Sequence, residues 1–568
     1  MLGAFVVENE LVELAEDKQF EHFAAFSMIR RHYSRAFSTT DVAIGGGGDT
    51  GIDAIAIIVN NNLITDVDQV DELAVQNGYV DATFIFVQAE RTQGFAAAKI
   101  GTFALGVTDF FATEPKLPRS KEVEALAEIT TAIFGYAPIM KPPKASLYYV
   151  TTGFWNNDPD LVARREIAVA DMKALSIFEA PEAFCIGALE LHEAYKRTRS
   201  PISRTFEFDR RVPLPPTDGV IQAAIGYVKF SEFKKLIADE SGNEILTSIF
   251  DDNVRDWQGY KTVNSGIKDT LNSASKSKFV LMNNGVTIIT RNLTQIGEKF
   301  TISEYQIVNG CQTSNVLFEQ KDVIGDEVAV PLRLVYTSDE SIKELITKAT
   351  NSQTDIKPEQ FASRLKFSRE LEDYFSTFPL EHRLYYERRD GQYDREVVPK
   401  VRIIDTATAI RSYASIFLEI PHAATKNYRS IRDMLGETVF VQTHKHAPYY
   451  YSSYAWFLLE SYYRNKTIDP KYKSARFHIL MAVNLLIDSS PKVFGNSKAI
   501  EQRADAGFKR LWDAAGAEAL FKQASAIIDE VTGGDLNRDH VRTEAITNAI
   551  IAKLRPKPVA PKDATTAA

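Results

Sequence analysis

The sequence predicts an α/β protein: a mixed sheet with flanking helices over residues 1–200, an α+β domain over 205–470 and a helical region over 471–555. Three observations carry that prediction. Residues 54–59 (AIAIIV) and 83–87 (TFIFV) are short apolar runs bounded by polar turns, the pattern of strands buried on both faces. Strand-like runs joined to Asn-Gly turns at 279–289 and 305–314 announce a second sheet. From about Pro470 onward the apolar residues recur at helical spacing with no strand-like run between them.

The whole chain sets bounds on these elements. At 568 residues it exceeds one ordinary core, so several domains are expected. Its 45% hydrophobic and 25% charged residues describe a soluble globular protein, and no apolar run reaches membrane-spanning length. The N-terminus turns acidic at once, which is unlike a signal peptide, so a cytoplasmic protein without membrane association is expected. Cys185 and Cys311 alone make neither a disulfide scaffold nor a zinc site. A net charge of −9 argues against a generally basic coat but leaves room for a locally basic groove. A homodimer is left open.

Taken in order, residues 5–36 read as helical with a break near Asp17, because Phe20, Phe23, Phe26, Ile29 and Tyr33 share one face. Asp53 follows a glycine-rich turn and opens the first apolar strand. Gln88 and Glu90 end the second and, two apart, share a face, so they point toward Asp53 if the strands are neighbours. Two carboxylates and an amide oxygen are hard ligands of the kind that hold Mg²⁺ or Mn²⁺. The acidic insert 60–82 carries a short helix. Helices at 94–111 and 122–134, a strand at 145–151 and a helix at 160–175 complete the first domain.

This arrangement resembles the PD-(D/E)xK nuclease superfamily, in its Mrr-like branch, and so implies a restriction-endonuclease-like fold. Phe20-Glu21, Asp49 to Asp53 and Val87-Gln88-Ala89-Glu90 stand in that branch's order. The resemblance implies a catalytic set of Asp53, Gln88, Glu90 and Glu21, with Asp53 and Glu90 on the metal. Glu21 reads equally as a solvated helix residue. One departure stands out: the motif's Lys is Glu90 here, and Arg91 is one residue out of phase.

In the second domain, Asn283-Asn284-Gly285 forms a polar turn, and 305–314 runs from a strand through Asn309-Gly310 into a helix. A glycine turn at a helix start leaves N–H groups unpaired, and Gln312 and Thr313 add donors. Asn284, Asn309, Gly310, Gln312 and Thr313, with Arg388 and Arg389 for charge, are the candidate nucleotide or phosphate contacts, against a purely structural reading of the Asn turns. Residues 385–393 and 444–451 combine aromatic and basic side chains, either as nucleic-acid contacts or as salt-bridged surface. His444 and His446 lack a third ligand for zinc.

These turns, with Gly-Ile-Lys-Asp-Thr-Leu at 266–271 and TNSQTDIKP at 350–358, resemble the AIPR (abortive infection phage resistance) family across about 205–500. Cys311 stands where that family commonly has a polar residue. The resemblance implies antiphage defence, with the first domain a metal-dependent nuclease acting on DNA or RNA. The rival readings are a catalytically degenerate sensor or assembly protein that binds nucleic acid or nucleotide, and a nucleotide-responsive switch. The tail 556–568, with nothing to bury, reads as disordered.

Overall fold

The computed structural model describes residues 1–555 apart from 34, 45–50, 200–201, 240–241, 243–244, 251–261, 352–357, 389–391, 394–395, 397, 427–429 and 432. The predictions for Asp49, Arg389, most of 350–358 and the tail therefore lie outside the described residues. The chain divides into two compact units: Met1–Asp355 with Arg389–Val398, and Ile356–Arg388 with Pro399–Ala568.

The first unit contains two sheets. The first has strands β1 (Ala54–Val59), β2 (Asn62–Leu63), β3 (Ala82–Glu90), β4 (Lys144–Thr151) and β5 (Glu182–Ile186) in the order β2-β1-β3-β4-β5. β1 is antiparallel to β2 and β3, whereas β3, β4 and β5 run parallel. Because Ala54 pairs with Val87, the entry to β1 and the exit of β3 share one end of the sheet. That topology is what brings Asp53 close to Gln88 and Glu90.

Alternation along the strands sorts the apolar residues onto two cores. Ala54, Ala56, Ile58, Ile85, Val87 and Ala89 pack under α1 (Leu2–Glu8), α2 (Glu16–Ile29) and a later helix, Ala188–Arg199. Ile55, Ile57, Phe84, Phe86, Leu147 and Tyr149 pack under α3 (Val67–Asn77), α4 (Ala97–Phe110), α5 (Lys121–Gly135) and α6 (Pro159–Ala174). Helices on both faces explain why β1 is buried at every position. The insert helix α3 has a capping box between Asp66 and Gln69 and ends on left-handed Gly78.

The second sheet has the order β6-β10-β9-β11-β8-β7, from β6 (Ser203–Glu207), β7 (Arg210–Pro213), β8 (Gln222–Lys229), β9 (Val286–Ile296), β10 (Lys299–Asn309) and β11 (Ala329–Tyr336). Only the β9–β11 pairing is parallel. Phe206, Ile288, Phe300, Ile302, Leu332 and Leu334 face a core closed in part by Phe233 and Leu236 from helix Phe230–Ile237 and Val316 and Leu317 from helix Cys311–Glu319. The stretch before β9 differs from the strand expected there. Phe279–Met282 is a short helix, with Phe279 buried and Leu281 and Met282 exposed. Asn283 makes the turn out of it, its Oδ1 accepting from Gly285 N at 2.9 Å.

The second unit is helical around one core, with a two-stranded parallel ladder (Tyr385–Glu387 and Ile403–Asp405) at its start. Its longest described helices include Ala447–Arg464, Lys498–Leu511 and Ala514–Thr532. Tyr449, Tyr450 and Tyr451 correct the surface patch expected there: all three are buried. Three consecutive residues span most of a helix circumference, and Ala447–Arg464 is enclosed on nearly every side. Tyr449 stacks on Tyr413 at 4.1 Å and Tyr450 on Phe378 at 3.6 Å. No helix among the described residues is long and apolar enough to cross a membrane.

Candidate functional site

At the shared end of the first sheet, Asp53 is fixed through its backbone and its side chain together. Its N–H donates to Val87 O at 2.9 Å, and its carbonyl accepts from Ile44 N at 2.8 Å. Its Oδ2 accepts from Ala89 N at 2.7 Å, so the carboxylate is held against the end of β3. Gln88 and Glu90 share the face that carries Phe84 and Phe86. Gln88 is only 5% exposed, and its Oε1 is buried without a hydrogen-bond partner. An amide oxygen left that way costs about 1–3 kcal/mol unless something else takes its lone pairs.

Glu90 has two partners that the sequence reading missed. Lys99 Nζ, from the first turn of α4, lies 2.6 Å from Oε1, and the Tyr149 hydroxyl donates to Oε2 at 3.0 Å. Burial raises the Tyr149 pKa far above its usual value, and the neighbouring Glu90 charge adds to the shift, so the phenol stays a donor. Tyr149 was findable in principle, since parallel pairing of β3 with β4 sets it beside Gln88. Lys99 left no comparable signal, because its approach depends on the angle at which α4 leaves the sheet. Arg91 is not its substitute, being paired with Glu16.

Glu21 sits on α2, the helix covering the opposite face of the sheet, and pairs with Lys18 at 2.7 Å. Among the described residues no group of three or more His, Cys, Asp and Glu side chains is placed to hold a metal. The donor set at this edge is instead two carboxylates and an amide. Its unpartnered, buried oxygen suits a hard cation such as Mg²⁺ or Mn²⁺.

The Asn-Gly turns of the second sheet also come together. Gly310 has φ +96°, and a Cβ there would lie 2.8 Å from Val286 Cγ2, so the residue is glycine for both backbone and space. Asn283 Nδ2 donates to Thr313 Oγ1 at 3.2 Å, and Asn264 Nδ2 donates to Gln312 Oε1 at 2.6 Å. Ser314 N and Oγ both reach Gly310 O. Gln312 and Thr313 thus bind the helix start to its neighbours, while Asn284 is exposed and Asn309 pairs with Thr287 in the sheet. Arg388 belongs to the other unit, where Glu372 holds it at 3.0 Å. Gln312 and Thr313 are each tied into the turn network by a side-chain hydrogen bond.

An α/β unit of two sheets, the second carrying this Asn-rich strand-to-helix turn, and a separate helical unit define the class. A family model described as AIPR protein matches residues 250–537, just over half of the chain, and the chain belongs to that family. Membership implies a part in abortive-infection defence against phage. The matched stretch takes in β9 to β11 and most of the helical unit, and it leaves the first sheet outside. Comparison with curated proteins and with solved structures returns no match.

Proposed function

We propose that the chain is an antiphage protein whose first sheet is a restriction-endonuclease-like, metal-dependent nuclease domain hydrolysing phosphodiester bonds of DNA or RNA. The observation that carries this reading is the unpartnered, buried Gln88 Oε1 at the sheet end that Asp53 and Glu90 share. A mixed sheet with helices on both faces, and acids at one end of it, supports the fold assignment.

Asp53, Gln88 and Glu90 would hold Mg²⁺ or Mn²⁺. Such a cation, when bound, activates water at neutral pH and stabilises charge on the phosphate. Asp53 is pre-set for the task by its bond from Ala89 N, and Tyr149 fixes the orientation of Glu90. Lys99 brings to Glu90 the positive charge that the motif otherwise carries on the strand, and it would neutralise the phosphate as negative charge builds. Glu21, the helix acid that the resemblance implies, pairs with Lys18 on the helix over the opposite face and is given no metal contact.

The second reading, a non-catalytic binding protein, is favoured by one observation: Glu90 is already neutralised by Lys99 and hydrogen-bonded by Tyr149. Cleavage of plasmid, single-stranded DNA and RNA by the purified chain, with Mn²⁺ and with EDTA, separates the two. Metal-dependent cleavage supports the nuclease; nucleic-acid binding without cleavage supports the other.

A further inference from the structure

Beside the acidic edge, the loop after β4 carries aromatic residues that no role described so far uses. Phe154 is 68% exposed, and Trp155 follows it, half-buried. The loop backbone is clamped to the segment that follows Glu90. Thr152 donates to Thr92 O through both N (3.0 Å) and Oγ1 (2.7 Å), and Ala188 N donates to Gly153 O at 2.7 Å. A Cβ on Gly153 would stand 2.4 Å from Gln93 O, and one on Gly187 would stand 2.6 Å from Gly153 O. Both positions are therefore glycine because backbones cross there.

The Trp155 ring is fixed as well. Trp155 Nε1 donates to Asn157 Oδ1 at 2.8 Å, and Phe95 meets Trp155 edge-on at 5.1 Å. Phe95 also meets Tyr149 edge-on at 5.6 Å, and Tyr149 is the residue bonded to Glu90. The Arg165 guanidinium lies 5.8 Å from the centre of the Trp155 ring. A run of contacts thus leads from the Glu90 carboxylate through Tyr149 and Phe95 to the Trp155 ring, which has a cation beside it, and the exposed Phe154 precedes Trp155 in the same loop.

We infer that the exposed Phe154 and the half-buried Trp155, the latter held by Phe95 and Arg165, form a base-stacking platform beside the acidic edge, and that the site takes single-stranded nucleic acid. This rests on the nuclease reading for what happens at the edge, but the platform binds without it. Every nucleobase has a face that stacks on an aromatic ring, and only an unpaired strand presents that face. Arg165 supplies a positive charge beside the rings for the backbone that follows the stacked base.

The test is fluorescence anisotropy of the full chain in EDTA with labelled oligothymidylate, oligouridylate and a DNA duplex of the same length. Single strands should bind about tenfold tighter than duplex, and Phe154→Ala should weaken single-strand binding about fivefold or more. Phe154→Tyr should restore it, and duplex binding should not change. Trp155→Ala is read alongside, with thermal melting to show that the chain is folded; if it unfolds, the exposed Phe154 decides. Duplex bound as tightly as single strand, or a folded Phe154→Ala that binds like wild type, overturns the platform. The two oligonucleotide arms report the sugar preferred. Cleavage is assayed separately with Mn²⁺. Platform binding without cleavage would sink the nuclease reading alone, and cleavage by a Phe154→Ala chain that still binds single strands like wild type would sink the platform alone.

Discussion

Lys99 Nζ lies 2.6 Å from Glu90 Oε1, so the acidic edge of the first sheet carries its own counter-cation, delivered by a helix. Both groups are partly solvent-accessible, and such a pair contributes on the order of 1 kcal/mol or less to folding. If the first sheet is the proposed nuclease, its worth lies in the chemistry.

Lys99→Met should therefore leave the melting temperature within a few degrees of wild type and lower metal-dependent cleavage by about a hundredfold, as loss of a charge-stabilising group does. Single-turnover cleavage and a melting curve on the same sample check both halves. Undiminished cleavage would return Lys99 to the role of an ordinary surface ion pair.

Gln88 gives the opposite pattern. Gln88→Leu removes a buried, unpartnered oxygen, so the metal-free protein should gain about 1 kcal/mol or more of stability. The same change should abolish any rise in melting temperature on adding Mn²⁺, because a ligand that binds only the folded state stabilises it. A variant that is less stable without metal, or that keeps the Mn²⁺ shift, contradicts the assignment of Gln88 as a ligand.

At the Asn-Gly turn the prediction is structural. Gly310→Ala forces a Cβ onto Val286 at a left-handed backbone, and it should cost more than about 1 kcal/mol. Thr313→Val breaks the link to Asn283 and should cost about as much. Denaturant unfolding measures both, and nucleotide titration of wild type checks the rival reading. Tight, salt-sensitive nucleotide binding lost on Gln312→Ala would show that this network also serves a ligand.

How far the sequence could be read differs between these regions. Unbroken apolar runs mark β1 and β3 because helices cover both faces, and that same burial makes Gln88 and Glu90 stand out as polar residues inside a strand. Phe279–Met282 misled because four apolar residues before Asn-Gly read as strand, whereas Phe279 alone anchors a helical turn. Tyr449–Tyr451 misled through composition: tyrosines beside histidines and a lysine suggest a surface, yet the phenols end inside a helical core. The Phe154–Trp155 loop was invisible because it is far from Glu90 in sequence, and Lys99 because its approach depends on the angle of α4. Only the crossing of loops at Gly153 and Gly187, and the approach of α4, place them there.

Acid should loosen the first unit. Burial lowers the pKa of His22 and of His32 from 6.5 to about 4, with the charges of Lys18 on His22 and of Arg31 and Lys144 on His32 adding to the effect. The unfolded chain takes up these protons below about pH 6.5 while the folded chain holds off until about pH 4. Stability contributed by the two neutral rings is thus complete above pH 6.5 and falls as pH drops toward 4, by up to about 1.4 kcal/mol per unit for each ring. Unfolding free energy measured across that range should fall less steeply for His32→Gln than for wild type. An identical slope would mean that His32 titrates normally in the folded chain.

The most direct test of the proposed nuclease site is Mn²⁺ binding by calorimetry together with cleavage of single-stranded DNA and RNA, on wild type and Asp53→Asn. Wild type should bind Mn²⁺ and cleave, with cleavage stopped by EDTA, while the folded variant should lose both. Wild type that binds no Mn²⁺, or a variant that cleaves as fast as wild type, would contradict a metal site built on Asp53, Gln88 and Glu90.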